Sequence, residues 1–151
     1  MTKSSLRVPE AYICQNLFNI FLTNINPNDE SVQYAIQSHS RVRECLEKGD
    51  EFKEYVIGSF LYGSYKRHTA VGDIKDVDIV VLTNFNPNES NDSPEQVLRK
   101  LKQALGRCYQ DAGNPKYQRR SIRVDDPLPE DSDTNLTLDV IPAVVITDED
   151  G

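Results

Sequence analysis

The 151-residue sequence contains no apolar run that approaches the length of a membrane-spanning helix. Its N-terminal segment has neither a continuous apolar stretch nor a small-residue cleavage site, so we expect no secretory signal. Positive charge is also scarce, because 17 Lys and Arg against 24 Asp and Glu give a net charge of −7. This balance argues against a constitutive nucleic-acid partner, which needs a basic face, but it allows nucleotide binding through metal ions.

Cysteine is scarce as well, and no CxxC motif occurs. The three cysteines, Cys14, Cys45 and Cys108, are odd in number and far apart in the sequence. This pattern favours reduced thiols in a cytoplasmic protein. The lack of a long apolar run predicts no membrane partner. The length and the 38% hydrophobic content are typical of one globular domain.

Two helices are predicted to lead the chain. Apolar residues recur at helical spacing between Pro9 and Thr23, which predicts a helix with one buried stripe. That stripe comprises Ile13, Cys14, Leu17, Phe18 and Phe21. Asn26 is predicted to cap a second helix that runs from about Pro27 to Glu47 and ends at Gly49. Its predicted inner face comprises Val32, Ala35, Ile36, Val42 and Leu46.

Four strands and a third helix are expected in the rest of the chain. The strands lie at Tyr55–Tyr62, at Val77–Thr83, near Tyr117–Val124 and near Asn135–Ile146. The second is almost continuously apolar, which is typical of a central strand. The order of elements predicts an α+β (mixed α/β) fold with a small mixed sheet flanked by helices.

The third helix has clear start and stop signals. Ser93 is predicted to cap it, with Pro94 at the first position and Gln96 completing a capping box. Gly113 is placed to end it. Its predicted buried face comprises Val97, Leu98, Leu101, Leu105 and Cys108.

Two carboxylates open the predicted central strand. Side chains alternate across a strand, so Asp76 and Asp78 project from the same face and repel each other unless a cation lies between them. Carboxylate oxygens are hard ligands suited to Mg²⁺ or Mn²⁺. A DxD pair alone is usually a solvated strand edge. Here the neighbouring residues are apolar, so unpaired charge is costly and a metal site is favoured.

A third carboxylate, Asp139, lies within the last apolar strand. The alternative to a metal role is a salt bridge to Arg119, Arg120 or Arg123. A metal cluster with the other two aspartates accounts better for three buried acids.

The segment from residue 61 to residue 69 suits a phosphate-binding loop. Gly63 lets the backbone approach a ligand closely, and Ser64 offers a hydroxyl and a backbone N–H at the start of a short helix. Lys66, Arg67 and Thr69 follow within about one and a half helical turns, although a solvated helix face is an equally good reading for these three. Eleven residues separate Ser64 from the first carboxylate.

Together these segments resemble the signature of the DNA polymerase beta-like nucleotidyltransferase superfamily. The segment GSYKRHTAV resembles the GSYxRxT stretch of the bacterial cyclic-oligonucleotide synthases (CD-NTases), and LDVIPAVV resembles their DhVPA strand. His68 departs from the pattern, since glycine is usual there. The resemblance implies a palm-like nucleotidyltransferase fold for residues 1–151, with two leading helices at 9–48 and a sheet and helix at 55–146. It also implies that the C-terminal helical domain of the family is absent from this chain.

The resemblance further implies an activity and residue roles. Such enzymes make cyclic or linear oligonucleotide second messengers from nucleoside triphosphates in antiviral defence. Two Mg²⁺ (or Mn²⁺) ions would be held by Asp76, Asp78 and Asp139. Gly63 and Ser64 would bind the terminal phosphates, and Lys66, Arg67 and Thr69 would support that loop. The missing helical lobe of the same protein would be the chain's partner, and the fragment alone would be weak or inactive.

Two other functions remain open at this point. One is nucleotidyl transfer to a protein, a drug or an RNA end. The other is a non-catalytic nucleotide-sensing or partner-binding module, which the intact carboxylate set disfavours and the missing half favours. No catalytic role is expected for either histidine: His39 is expected at the surface of the second helix, and His68 in a loop.

Overall fold

The structure is a computed structural model that describes residues 10–49, 52–86, 88–89, 92–109, 115–126 and 136–145. The helices are α1 (Glu10–Ile25), α2 (Asp29–Lys48), α3 (Gly63–Lys66) and α4 (Pro94–Cys108). The strands are β1 (Val56–Tyr62), β2 (Asp76–Thr83), β3 (Lys116–Tyr117), β4 (Ile122–Asp126) and β5 (Leu136–Val144). None of the described helices is both long enough and apolar enough to cross a membrane.

The five strands form one mixed sheet in the order β1-β2-β5-β4-β3. β2 and β5 are parallel, and the other three pairs are antiparallel. The predicted α+β class is confirmed, and β2 is a central strand as expected.

Among the residues that the structure describes, helices cover one face of the sheet and leave the other face open. Alternate side chains of the central strands are fully buried against α2 and α4 and form the core. These sheet residues are Val77, Ile79, Val81, Ile122, Val124, Leu138 and Val140. Because side chains alternate along a strand, the residues between them point to the open face, where the predicted carboxylates lie.

The helix boundaries follow from side-chain caps. Asn28 caps α2, since its Oδ1 accepts a hydrogen bond from the N–H of Ser31 at 2.6 Å; the helix therefore starts two residues later than predicted. Gly49 follows its last residue, as expected. At α4 the Ser93 cap is confirmed: Ser93 Oγ accepts from the N–H of Gln96 at 3.4 Å. The predicted capping box is not completed, because the buried Gln96 Oε1 accepts no hydrogen bond from the described residues. Gly113 lies outside the described residues.

The predicted buried stripe of α1 is wrong for the described residues. Leu17, Phe18 and Phe21 are each more than half exposed, and Cys14 is exposed too. Ile36, assigned to the inner face of α2, is 40% exposed. Helical periodicity identifies an apolar face, but it does not show that another element of the same chain covers that face.

His39 is buried rather than exposed, so its expected surface position is also wrong. It lies one turn from Ala35 and from Val42 on the buried face of α2, and its ring centroid is 5.8 Å from that of Tyr65. Burial, together with the nearby charge of Arg43, lowers the pKa of His39. A neutral packed histidine is the consequence.

Cys45 and Cys108 form a disulfide that joins α2 to α4, with 6.2 Å between their Cα atoms. The expectation of reduced thiols is therefore wrong for this pair. The two residues are 63 positions apart in sequence and meet because the two helices pack side by side. Cys14, the remaining cysteine, is free.

Candidate active site

The three aspartates meet on the open face of the sheet because β2 and β5 are parallel and in register. Asp78 is paired with Asp139, and Asp76 with Thr137. Neighbouring strands lie about 4.8 Å apart, so the carboxylates of Asp78 and Asp139 belong to directly adjacent positions. The structure thus brings Asp139, predicted on a later strand, beside Asp78 and Asp76, which were predicted to share one strand face.

Two rows of polar side chains run across the sheet at this point. We call the first the carboxylate row; it crosses β2, β5 and β4 at Asp78, Asp139 and Arg123. The second row crosses the same strands at Asp76, Thr137 and Asp125.

The electrostatics of the carboxylate row favour a bound cation. Burial, and then the charge of Asp76, raises the pKa of Asp78. Burial, and then the charge of Asp78, raises the pKa of Asp139. Asp139 Oδ1 is buried and accepts no hydrogen bond from any described residue. Since a divalent ion would relieve both the repulsion and the unsatisfied oxygen, the donor chemistry fits Mg²⁺ or Mn²⁺.

The side chains do not form a finished ligand cage. Within the described ranges, no group of three or more His, Cys, Asp or Glu side chains is arranged to hold a metal ion. Asp76 is exposed at the mouth of β2, while Asp78 and Asp139 are half-buried. The backbone therefore places the donors, and the assignment of metal ligands rests on donor type and on the unsatisfied Oδ1.

Gly63 joins β1 to the site. It has a φ of +76°, a conformation that side-chain-bearing residues rarely adopt. A Cβ atom at this position would also overlap Asp78 Oδ2. Glycine is thus required twice, once for the turn and once for the close approach to the carboxylate. Ser64 follows it, exposed, in the short helix α3.

The other predicted phosphate-loop residues differ in their surroundings. The Thr69 N–H donates to Ser64 O at 3.0 Å, and its hydroxyl reaches the same oxygen at 3.4 Å, so this residue closes the loop. The guanidinium carbon of Arg67 lies 6.0 Å from the ring centroid of Tyr62. The Arg67 charge opposes the rise in the Asp78 pKa that burial and the Asp76 charge cause. Lys66 is exposed.

His68 lies in the turn after α3 and is exposed, as expected for a loop residue. Its φ of 55° is in the left-handed region, where glycine is favoured. A positive φ explains why the CD-NTase pattern usually has glycine at this position. Histidine adopts the same conformation with some backbone strain.

Comparison with known proteins identifies the family. A model described as the Second Messenger Oligonucleotide or Dinucleotide Synthetase domain matches residues 13–150, nearly the whole chain. The chain belongs to this synthetase family.

Sequence relatives of the synthetase domain carry matching names. This chain is 34% identical over 103 residues to a "Probable cyclic AMP-AMP-GMP nucleotide synthase" from Salmonella paratyphi B, and the match covers 66% of this chain and 26% of that protein. It is 37% identical over 99 residues to a "Cyclic AMP-AMP-AMP synthase" from Acinetobacter, covering 60% of this chain and 28% of that protein. The chain thus spans about a quarter of the length of these relatives.

A solved structure shares the fold of the synthetase domain. The CD-NTase CdnG of Bradyrhizobium diazoefficiens, determined in complex with GTP, matches with a TM-score of 0.65 at 20% identity. The match covers 83% of this chain and 35% of CdnG. The expected palm-like nucleotidyltransferase fold is confirmed by this likeness.

The sequence did not identify every polar residue of the candidate site. Arg123 was considered only as a salt-bridge partner of Asp139, yet its Nε donates to Asp125 Oδ1 at 2.8 Å and its Nη2 to Thr137 Oγ1 at 2.9 Å. Lys116 Nζ donates to Asp125 Oδ2 at 2.7 Å. Strand alternation puts Arg123 and Asp125 on one face, but only the pairing of β4 with β5 shows which face it is.

The other two candidate partners of Asp139 lie elsewhere. Arg119 and Arg120 are exposed in the bend before β4. They line a cavity of about 330 Å³ together with Thr83 and Pro142, near the opposite ends of β2 and β5. The salt-bridge alternative for Asp139 is therefore not realised among the arginines that the sequence offered for it.

Proposed function

We propose that this chain is the catalytic core of a metal-dependent nucleotidyltransferase that joins nucleoside triphosphates into cyclic or linear oligonucleotide second messengers. One observation carries the proposal: Asp78 and Asp139 lie side by side on parallel strands, with Asp76 in the next row and the Gly63 loop against Asp78. Family membership, the names of the relatives and the GTP bound to CdnG support it.

In this proposal the residues divide the work across the sheet. Gly63 and Ser64 bind the terminal phosphates of the donor nucleotide, supported by Lys66, Arg67 and Thr69. Their backbone N–H groups and side chains oppose the charge of the leaving pyrophosphate.

The three carboxylates define the reacting centre. Asp76, Asp78 and Asp139 would hold two Mg²⁺ or Mn²⁺ ions, which lower the pKa of the attacking hydroxyl and stabilise the leaving oxygen. The acceptor hydroxyl forms a bond to the α-phosphorus as the bond to the β-phosphate breaks. Pyrophosphate leaves, and the hydroxyl proton is released to solvent.

The rest of the longer protein is proposed to complete the cleft. The described part of the site is one open sheet face, and a cleft needs an opposite wall. A C-terminal helical lobe is the proposed partner, and the exposed apolar side chains of α1 are suited to pack against it. The chain alone is then expected to be weak or inactive. A role in antiviral defence belongs to the same proposal and rests on the resemblance. A cytoplasmic location is proposed with it, although the Cys45–Cys108 disulfide removes the reduced-thiol pattern as its support.

The test uses the full-length protein with the four α-labelled nucleoside triphosphates and Mg²⁺ or Mn²⁺. Phosphatase-resistant labelled oligonucleotides are the expected product. Asp76→Asn and Asp78→Asn should each reduce product formation by at least about 100-fold, since even outer-sphere partners of a metal contribute 10–100-fold. Asp29→Asn, at an exposed carboxylate in the first turn of α2, is the matched control.

Other outcomes would identify the alternatives. Label on an added protein, drug or RNA end would indicate transfer to that acceptor. Nucleotide binding without any product would indicate a non-catalytic sensing or partner-binding module. Normal product formation by either aspartate variant would contradict the assignment of the site.

A further inference from the structure

Arg123 lies at the far end of the carboxylate row from the Gly63 loop. Across the sheet, the order is the loop after β1, Asp78 on β2, Asp139 on β5 and Arg123 on β4. With about 4.8 Å between neighbouring strands, the Cα atoms of Arg123 and Asp78, which lie two strands apart, are separated by roughly 10 Å. The row thus has a phosphate loop at one end and a guanidinium at the other.

The guanidinium is held in place by its neighbours. Its hydrogen bonds to Asp125 and Thr137 use two of the five N–H donors of an arginine. The Arg123 side chain is 41% exposed, so the other donors are accessible from the open face. An arginine fixed in this way loses little conformational entropy when it binds a ligand.

Charges of both signs surround the guanidinium: the hydrogen bond to Asp125, and then the charges of Asp125, Asp139 and Asp76, raise the pKa of Arg123. Asp125 is shared between Arg123 and Lys116, so two cations contact one carboxylate. Arg123 makes no ion pair with Asp139, although the two are paired across β4 and β5. Neutralising Asp139 is therefore not what fixes the position of this arginine.

The geometry of an in-line displacement indicates which substrate approaches the site from the β4 side. In an in-line displacement, the attacking oxygen enters opposite the leaving group. If pyrophosphate leaves toward the Gly63 loop, the acceptor hydroxyl must come from the side of β5 and β4. The acceptor is itself a nucleotide, and its phosphate oxygens suit a preorganised guanidinium.

We propose that Arg123, oriented by Asp125 and Thr137, binds a phosphate group of the acceptor nucleotide. This inference rests on the proposed function and adds a residue to it that binds the acceptor and not the donor.

The experiment uses two substrate analogues, one that can act only as the donor and one that can act only as the acceptor. A 2′,3′-dideoxynucleoside triphosphate can donate but lacks the hydroxyls needed to accept. An α,β-methylene nucleoside triphosphate can accept but cannot release pyrophosphate. With the full-length protein, each KM is measured while the other substrate is saturating.

Arg123→Gln should raise the KM for the acceptor by about 10-fold or more, the value of one charge-assisted hydrogen bond, and change the KM for the donor by less than about 2-fold. Arg123→Lys should recover part of the affinity, because it keeps the charge but loses the planar donor pair. Arg120→Gln is the matched control, at an exposed arginine on the far side of the sheet, and should change neither KM.

An unphosphorylated nucleoside acceptor tests the phosphate contact itself. The preference of the wild type for the phosphorylated acceptor should be lost in Arg123→Gln, while the KM for the nucleoside stays the same. An equal rise in the KM for donor and acceptor, or for nucleoside and nucleotide, would overturn the inference. If Arg123→Gln does not fold, the same KM comparisons, between donor and acceptor and between nucleoside and nucleotide, are made with Arg123→Lys and test the inference.

The inference and the proposed function fail in different ways. A wild-type protein that forms product from this substrate pair, with an acceptor KM insensitive to both variants, refutes only the role of Arg123. A wild-type protein that forms no product with these or with ordinary triphosphates refutes both.

Discussion

Gly63 lies directly against the carboxylate of Asp78, so the phosphate loop and the first carboxylate strand share one contact. In the proposed function the loop binds phosphates and the strand binds metal, so the two must keep a fixed separation because both act on one triphosphate. Here that separation is set by the absence of a single side chain.

Gly63→Ala should reduce product formation by about 100-fold, because the new methyl group displaces Asp78 and a shift of about 1 Å at a reacting centre has this effect. The φ of +76° adds a loss of about 1–3 kcal/mol in the free energy of unfolding. Gly106→Ala is the control: a Cβ there contacts nothing within 4 Å, and the helix should gain about 1 kcal/mol. Turnover and urea unfolding measure both effects, and a fully active Gly63→Ala enzyme would contradict the contact.

Asp139→Asn should stabilise the metal-free protein at pH 7. Because the folded-state pKa of Asp139 is raised above its ordinary value of 3.8, ionisation disfavours the folded state as the pH rises through that pKa. The advantage of asparagine should therefore be full at neutral pH and vanish below about pH 3.8.

Asp125→Asn is the matched variant of opposite sign. Hydrogen bonds from Lys116 and Arg123 lower the pKa of Asp125, so its stabilising contribution is present at neutral pH and is lost as the pH falls through the lowered pKa. Unfolding curves in EDTA from pH 3 to pH 7 should diverge in opposite directions for the two variants. The same sign for both would refute the assigned electrostatics.

Without reductant, the denatured protein should show one reactive thiol, that of Cys14, since Cys45 and Cys108 are bonded. Reduction should lower the free energy of unfolding by about 4 kcal/mol on the chain-entropy model, given the 63-residue separation. Cys14→Ser should remove the thiol signal and leave stability unchanged. Three reactive thiols in unreduced protein would show that the bond does not form.

Tyr109→Phe should leave the protein equally stable or stabilise it by about 1 kcal/mol. The Tyr109 hydroxyl is buried and has no hydrogen-bond partner in the described part of the chain, and burial together with the Asp126 charge raises its pKa. Tyr117→Phe, at an exposed ring, should have no effect. Thermal unfolding distinguishes the two, and a clear loss at Tyr109 would reveal a partner for its hydroxyl.

Strand alternation was sufficient to place Asp76 and Asp78 on one face. The Gly-Ser pair was informative only through its position eleven residues before Asp76, and its phosphate-binding role stays a prediction. The juxtaposition of the two aspartates with Asp139 was predicted from the cost of three buried acids and from the resemblance, because alternation alone does not give the register of strands 61 residues apart. Arg123 was missed for the same reason. The apolar face of α1 was read correctly as apolar, but periodicity cannot show what covers it. His39 could have been placed in the core, since it falls one turn from both Ala35 and Val42.

The pairing of β2 with β5 makes the distance between Asp78 and Asp139 a property of the backbone. A slip of one residue between these strands would turn one of the two carboxylates into the apolar core. Substitutions among the buried valines and leucines that stabilise this pairing can therefore abolish the proposed activity, although they change no polar atom of the site. Screens for loss of function should find inactive variants along the buried side of both strands, and they would resemble active-site lesions in every assay except one for stability.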